Sequence, residues 1–229
     1  MALIFRAALV SMQAIFNQAA CTPPNKTQAK DRYHTEEPHV LQMAPLVFKI
    51  HTCLLWLCAA MEVISAIDYY FPSSLSPYFQ SSICPASRPS NITPVAAFGV
   101  LLVGAGAFIR THCFKELGQL FTFDLTIQPE HKLVTSGFYR YVRHPSYTGS
   151  LMLIAGISLT QLSSGGWVRQ CGIIGPVTSA LLWVVWWAWS MSVGISRAIA
   201  EDSELKKQFE ASWDAYAADV PAWFVPGLF

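Results

Sequence analysis

Charged side chains are scarce in this sequence. Asp, Glu, Lys and Arg make up 13% of its 229 residues, whereas a soluble domain carries about 25%. Apolar residues account for 53% of the chain. This composition does not suit an ordinary soluble surface and predicts an integral membrane protein. The formal net charge of +1 gives no electrostatic attraction for nucleic acid, so we expect no nucleic-acid binding.

Metal-ligand and nucleotide-binding patterns are also missing. None of the six cysteines belongs to a Cys-x-x-Cys pair or to a cluster with histidine, so we expect no metal site. Gly104-Ala-Gly106 is reminiscent of a glycine-rich nucleotide turn, but it lies inside an apolar run with no strand before it. Small residues at such a place favour close packing of helices instead.

Long apolar runs are what the sequence has in abundance, and a bilayer-spanning helix needs roughly 20 apolar residues. The five candidate spans are approximately 2–20, 44–70, 95–114, 147–162 and 171–195. We therefore predict one all-α domain over residues 1–229: an integral membrane helix bundle with about five transmembrane helices and a short helical cytosolic C-terminal segment. Polar residues interrupt the first run, and a cleaved signal peptide is the alternative interpretation of it.

The positions of Lys and Arg predict the orientation of the bundle. If the loop before residue 147 is cytosolic, eleven of the 15 Lys and Arg residues lie on the cytosolic side, Arg110 among them. The outer loops then hold only Arg88 and Arg169. Because cytosolic loops of membrane proteins are enriched in Lys and Arg, this predicts a cytosolic C-terminus and an N-terminus outside.

Two polar regions face the cytosol in this topology. The first, 131–149, concentrates Arg, His and Tyr, and the second begins directly after the fifth span with Arg197 and Glu201. These two residues are four apart, so they share one face of a helix that continues the span. The planar guanidinium of arginine suits the binding of a carboxylate. From spacing alone, a structural salt bridge between Arg197 and Glu201 stays open, as does a structural turn role for His144 before Pro145.

Glu62 lies inside the second span, roughly 17 Å along a helix from His51. Carboxylates within a membrane are costly and often functional. We expect instead that Glu62 faces a partner within the bundle.

The stretch His131-Lys-Leu-Val-Thr-Ser-Gly-Phe-Tyr-Arg-Tyr-Val-Arg-His-Pro-Ser-Tyr-Thr-Gly149 resembles the signature of the isoprenylcysteine carboxyl methyltransferases. Arg197-x-x-x-Glu201-Asp202, with the Phe, Tyr and Pro residues after it, resembles the C-terminal stretch of that family. The resemblance covers roughly residues 121–229. The chain departs from the family pattern at Asp202, Glu210 and Trp213, where the family usually has Glu, Gly and Tyr.

The resemblance implies a membrane enzyme that uses S-adenosyl-L-methionine to methylate the C-terminal carboxylate of prenylated cysteine in proteins. It implies a multi-pass protein of the endoplasmic reticulum membrane. The farnesyl or geranylgeranyl cysteine of the substrate protein would enter from the lipid.

The same resemblance assigns residues by position, within a cofactor and catalytic region of 121–149 plus 197–229. The implied cofactor-binding residues are His131, Lys132, Leu133, Val134, Tyr139, His144, Pro145, Ser146, Tyr147 and Glu201. Arg197 matches the residue at the substrate carboxylate, and Arg197 and Glu201 are the implied catalytic residues. A further polar contact upstream of His131 falls to Thr126 or Gln128.

Two other functions remain open. A membrane methyltransferase acting on another lipid-like acceptor, such as a phospholipid amine, would have no obvious use for Arg197. A sterol-type NADPH reductase can carry a similar Arg-His-Pro motif, but it needs a larger site for its nicotinamide cofactor.

Overall fold

The structure is a computed structural model that describes residues 2–25, 44–71, 92–123 and 132–228. The helices are α1 (Ala2–Cys21), α2 (Ala44–Tyr70), α3 (Pro94–Leu117), α4 (Pro145–Gln161), α5 (Trp167–Gln170) and α6 (Pro176–Asp219). Two short 3₁₀ turns lie between α3 and α4, at Gly118–Leu120 and Gly137–Arg140. Each of the five predicted spans therefore contains a helix, but the fifth helix begins at Pro176, and residues 171–175 of the predicted span are not helical. The described residues form no β-strand, which confirms the all-α prediction.

Three stretches within the described residues are long and apolar enough to cross a membrane: Leu46–Tyr70, Pro94–Leu120 and Pro176–Asp219. The other two predicted spans, α1 and α4, do not meet that measure; α4 has only 17 residues. Both are nevertheless packed within the bundle, α1 along α2 and α3, and α4 along α3. A helical membrane protein is thus the architecture of this chain.

The polar residues that interrupt α1 bind other helices. Arg6 donates from Nη2 and Nε to Glu62 Oε1 at 2.7 and 2.8 Å, and both side chains are almost fully buried. Gln13 donates to the Thr160 hydroxyl at 2.9 Å. Since a buried charge requires a well-placed partner, the prediction that Glu62 faces one is confirmed. These contacts make α1 a packed member of the bundle, as the span interpretation requires.

Helices α3 and α4 approach so closely that only glycine fits at two places. A Cβ atom on Gly106 would lie 2.6 Å from the carbonyl oxygen of Gly149, and one on Gly156 would lie 2.4 Å from that of Gly99. Such short distances to backbone atoms exclude any side chain. The packing interpretation is therefore confirmed at Gly106, whereas a Cβ on Gly104 would find its nearest atom at 3.8 Å.

Helix α6 extends 24 residues past the predicted end of the fifth span, to Asp219. It is broken once, at Glu210, whose φ of 45° and ψ of −117° are not helical. The prediction that a helix carries Arg197 and Glu201 beyond the span, followed by a helical C-terminal segment, is confirmed. After α6 the chain folds back, and the backbone N–H groups of Arg143 and His144 donate to the carbonyls of Ala222 and Trp223 at 2.9 and 3.0 Å.

Candidate functional site

A cavity of about 200 Å³ lies at the end of the bundle where α3 ends and α4 begins. A cavity needs only about 10–15 Å³ to hold one water molecule, so this one admits an organic ligand. Its wall combines the segment before α4 with α3, α4 and the part of α6 around Arg197. Further into the bundle the wall turns apolar, where it is formed by Phe48, Leu151, Ile154, Trp189 and Val193.

The fold brings most of the predicted site residues to this cavity. The predicted residues that line it are Lys132, Leu133, Val134, Tyr139, His144, Ser146, Tyr147, Arg197 and Glu201. Pro145 does not line the cavity: it is fully buried at the first position of α4, where its fixed φ suits the start of a helix. Pro145 therefore has a structural role at the start of α4 and does not contact the cavity. His131, Thr126 and Gln128 lie outside the described residues.

His144 is held between two carboxylates. Its Nδ1 atom lies 3.1 Å from Glu201 Oε2, and its Nε2 atom lies 2.8 Å from Asp202 Oδ1. An ionised carboxylate only accepts hydrogen bonds, so both ring nitrogens donate and the imidazole is a cation. Burial lowers the pKa of His144, but the hydrogen bonds and charges of Asp202 and Glu201 outweigh burial and raise that pKa to about 9.

Tyr147 connects Glu201 to Arg197. Its hydroxyl donates to Glu201 Oε1 and accepts from Arg197 Nε at 3.3 Å. Arg197 also donates from Nη2 to the carbonyl oxygen of Phe123. The Tyr147 hydroxyl thus bridges Arg197 and Glu201. Arg197 and Glu201 do share the face of α6 that meets Tyr147, as their spacing predicts.

Asp202, one of the departures from the family pattern, is a central acceptor in the site. Besides His144 it binds Trp223, whose Nε1 donates to Oδ2 at 3.0 Å, and Arg143, whose Nη2 lies 3.4 Å from Oδ2. The Arg143 guanidinium also lies about 6 Å from the ring centres of Trp213 and Trp223, within reach of a cation–π attraction. Trp223 reaches the site only because the chain folds back after α6, so no spacing pattern in the sequence indicates it.

Arg110, one of the charges on the side predicted to be cytosolic, does not lie in a loop. It lies in α3, is 7% exposed and lines the cavity. Its Nε donates to the carbonyl of Ala20 at 2.8 Å, and its Nη1 donates to the carbonyl and hydroxyl oxygens of Ser146, both at 3.1 Å. An arginine inside an apolar run is itself the signal that could have placed it in the site.

The lining offers contacts for a ligand that carries both an ammonium and an aromatic group, although Lys132, Arg143 and Arg197 also line it. Glu201 and Glu204 bring negative charge to the wall, while Tyr139, Trp213 and Tyr216 offer aromatic surface. A carboxylate has about four lone-pair sites. Glu201 can therefore accept hydrogen bonds from a ligand while it stays bound to His144 and Tyr147.

Comparison with known proteins finds the same family that the sequence motifs resemble. Residues 99–193 match the model of the isoprenylcysteine carboxyl methyltransferase family. The chain is 26% identical over 182 residues to protein-S-isoprenylcysteine O-methyltransferase B of Arabidopsis thaliana, which covers 79% of this chain and 76% of that protein. It is 30% identical over 136 residues to protein-S-isoprenylcysteine O-methyltransferase of Schizosaccharomyces pombe, which covers 58% of this chain and 49% of that protein.

A third relative matches a shorter part of this chain. Protein-S-isoprenylcysteine O-methyltransferase A of Arabidopsis thaliana is 34% identical over 95 residues, 41% of this chain and 42% of that protein. The chain thus spans about three quarters of one relative and about half or less of the other two. The family match ends at residue 193, before Arg197 and Glu201.

Proposed function

We propose that the protein, whose residues 99–193 match the model of the isoprenylcysteine carboxyl methyltransferase family, methylates the C-terminal carboxylate of prenylated cysteine in proteins. S-adenosyl-L-methionine, the proposed cofactor, supplies an electrophilic methyl group when bound. The observation that carries the proposal is that His144, Tyr147, Arg197 and Glu201, which come from two distant motifs, line one cavity with both a polar and an apolar wall.

The cofactor would be held by residues of both motifs. The proposed set is His131, Lys132, Leu133, Val134, Tyr139, His144, Ser146, Tyr147 and Glu201. Glu201 would accept from the ammonium and ribose hydroxyls of the cofactor, while Tyr139 offers a flat apolar contact. His144 and Tyr147 bind the two oxygens of Glu201, so they fix the orientation of that carboxylate before any ligand arrives.

Arg197 would orient the carboxylate of the acceptor. Its own hydrogen bonds to Tyr147 and Phe123 hold the plane of the guanidinium, which favours one approach of the acceptor. Contact with a single oxygen leaves the other free to attack. A C-terminal carboxyl has an ordinary pKa of about 3.5, so it is already ionised and needs no general base.

The apolar wall formed by Phe48, Leu151, Ile154, Trp189 and Val193 suits the prenyl chain. A farnesyl or geranylgeranyl group would reach it from the lipid, while the protein part of the substrate stays at the cytosolic surface. A location in the endoplasmic reticulum membrane and a single catalytic domain over residues 1–229 belong to the same proposal.

Methyl transfer by the purified protein tests the proposal. Labelled S-adenosyl-L-methionine would be offered with N-acetyl-S-farnesyl-L-cysteine, with its carboxamide analogue and with phosphatidylethanolamine. We expect a base-labile methyl ester on the farnesylcysteine alone. Label on the phospholipid amine would favour the lipid methyltransferase, and NADPH consumption with a sterol and no methyl transfer would favour the reductase.

A further inference from the structure

Arg110 is a buried cation for which no described residue supplies an acidic partner. Two other arginines differ in this respect: the buried Arg6 pairs with Glu62, and the half-buried Arg143 lies beside Asp202. Around Arg110 the partners are the neutral oxygens of Ala20, Ser146 and Ser150. Burial of a charge without a counter-charge is strongly unfavourable, so this part of the site favours an anionic group of a ligand.

The guanidinium of Arg110 has bonding capacity left. Its Nε and Nη1 atoms make all of its hydrogen bonds to the described residues, and Nη2 makes none with that part of the chain. The rings of Phe114 and Phe123 lie 5.5 and 5.2 Å from its central carbon. These rings offer a weak attraction that does not replace an anion.

Arg110 lies at the boundary between the polar and the apolar wall of the cavity. Its neighbours Ser146 and Ser150 lie in the first two turns of α4, and the next inward residues of that helix in the wall are Leu151 and Ile154. On the other side, the segment from Lys132 to Tyr139 and the carboxylates of α6 form the polar wall. A molecule with an apolar chain and one carboxylate would place that carboxylate at this boundary.

We propose that the guanidinium of Arg110 binds the carboxylate of the prenylcysteine acceptor, beside Arg197; this inference rests on the proposed function. Arg197 already uses Nε and Nη2 for Tyr147 and Phe123, so it orients the group. Arg110 supplies the charge that replaces the water lost by the carboxylate when it enters the cavity. Specificity for a free carboxylate over a neutral end group then depends on Arg110.

The test compares binding of N-acetyl-S-farnesyl-L-cysteine and of its carboxamide by the wild-type protein and by Arg110→Gln, Arg110→Lys and Arg140→Gln. Arg140 is an exposed arginine near the same surface, so its variant controls for loss of one positive charge. We expect Arg110→Gln to weaken binding of the acid about 10- to 100-fold, and to leave affinity for the carboxamide and for S-adenosyl-L-methionine unchanged. Arg110→Lys should keep part of the preference for the acid, and Arg140→Gln all of it.

Three results would overturn the inference. Arg110→Gln could keep the wild-type preference for the acid, could weaken acid and carboxamide equally, or could weaken only S-adenosyl-L-methionine. If Arg110→Gln does not fold, a structure of the wild-type protein with the acceptor decides: a carboxylate oxygen within about 3.2 Å of Arg110 supports the inference, and a longer distance overturns it. A wild-type protein that methylates no prenylcysteine contradicts the proposed function itself, which the variants do not address.

Discussion

The charge of His144 is set by its two neighbours. Both ring nitrogens face carboxylate oxygens, and the side chain is 4% exposed, so the cation is shielded from water. The same carboxylates therefore hold His144 protonated and are held in place by it. The resemblance implies a cofactor contact for His144, and its hydrogen bond to Glu201 also fixes the orientation of that carboxylate.

We expect this arrangement to make stability depend on pH. The folded-state pKa of His144, about 9, lies above the ordinary value of about 6.5. Its stabilising contribution, on the order of 3 kcal/mol, is therefore fully present below pH ~6.5 and is lost as pH rises through about 9. Thermal unfolding in detergent, measured between pH 6.5 and 10, should show the difference between wild type and His144→Ala shrinking. A difference that stays constant over this range would show that His144 is not a buried cation.

Arg197→Lys should lose most activity although the charge is kept. Lysine presents one ammonium, which cannot replace the two directed donors that now bind Tyr147 and Phe123 and still orient a carboxylate. We expect kcat/KM for the prenylcysteine to fall about 10- to 100-fold, with little change in affinity for S-adenosyl-L-methionine. Normal kinetics in a folded Arg197→Lys protein would remove Arg197 from the acceptor site.

Glu201→Gln should weaken binding of the cofactor more than binding of the acceptor, the reverse of Arg197→Lys. The amide cannot carry the negative charge that we assign to the cofactor ammonium, so the dissociation constant for S-adenosyl-L-methionine should rise about tenfold or more. The KM for the acceptor, measured at saturating cofactor, should change less. Titrating each substrate for both variants separates the two roles, and an acceptor defect alone in Glu201→Gln would contradict the assignment.

Among the helices, α6 is broken at a single residue with a strained backbone conformation. Glu210 adopts φ 45° and ψ −117°, a conformation that glycine adopts readily and other residues adopt at a cost of about 1–3 kcal/mol. The family usually has glycine at this position. A glutamate at this position therefore adds a conformational cost to the bend that a glycine would not.

Glu210→Gly should stabilise the protein by about 1 kcal/mol or more, because the strain at the Cβ disappears. Glu210→Ala is the matched control: it removes the same charge but keeps the Cβ, so it should give no comparable gain. Thermal unfolding of the three proteins measures both effects. Equal gains from Gly and Ala would indicate that the charge of Glu210, and not its backbone conformation, is unfavourable.

The close packing of α3 against α4 can be tested by substituting glycines of α3. Gly106→Ala should destabilise the protein by about 1–3 kcal/mol or more, or prevent folding, because its Cβ would lie 2.6 Å from a backbone oxygen of α4. Gly104→Ala, two residues away in the same helix, meets its nearest atom at 3.8 Å and should be tolerated. Equal effects of the two substitutions would contradict the close approach of these helices.

At the scale of the whole molecule, the site lies at the end of the bundle where Lys and Arg concentrate. Even without Arg110, the side predicted to be cytosolic keeps ten Lys and Arg residues against two in the outer loops. We therefore expect the C-terminus in the cytosol. In sealed microsomes, a membrane-impermeant thiol reagent should label a cysteine added after Phe229 without permeabilisation. Labelling that requires permeabilisation would reverse the orientation.

Much of this protein could be predicted from the sequence. The apolar runs predicted α1, α2 and the N-terminal end of α3 to within one residue, because membrane helices are specified by local composition that is legible along the chain. The Arg197–Glu201 spacing predicted a shared helix face, since the geometry of a helix is local. The remaining site residues came from the resemblance of two ordered motifs.

Only the tertiary structure decided which side chains meet. His144 and Asp202 are separated by 58 positions, and Arg110 and Ser146 by 36, so no local pattern couples them. Composition could count Arg110 as a charge but could not show that it lies buried, with no acidic partner in the described part of the chain. It also gave no sign that Trp223 returns to Asp202. Such contacts depend on how helices pack over long sequence separations, whereas the helices themselves depend on neighbours along the chain.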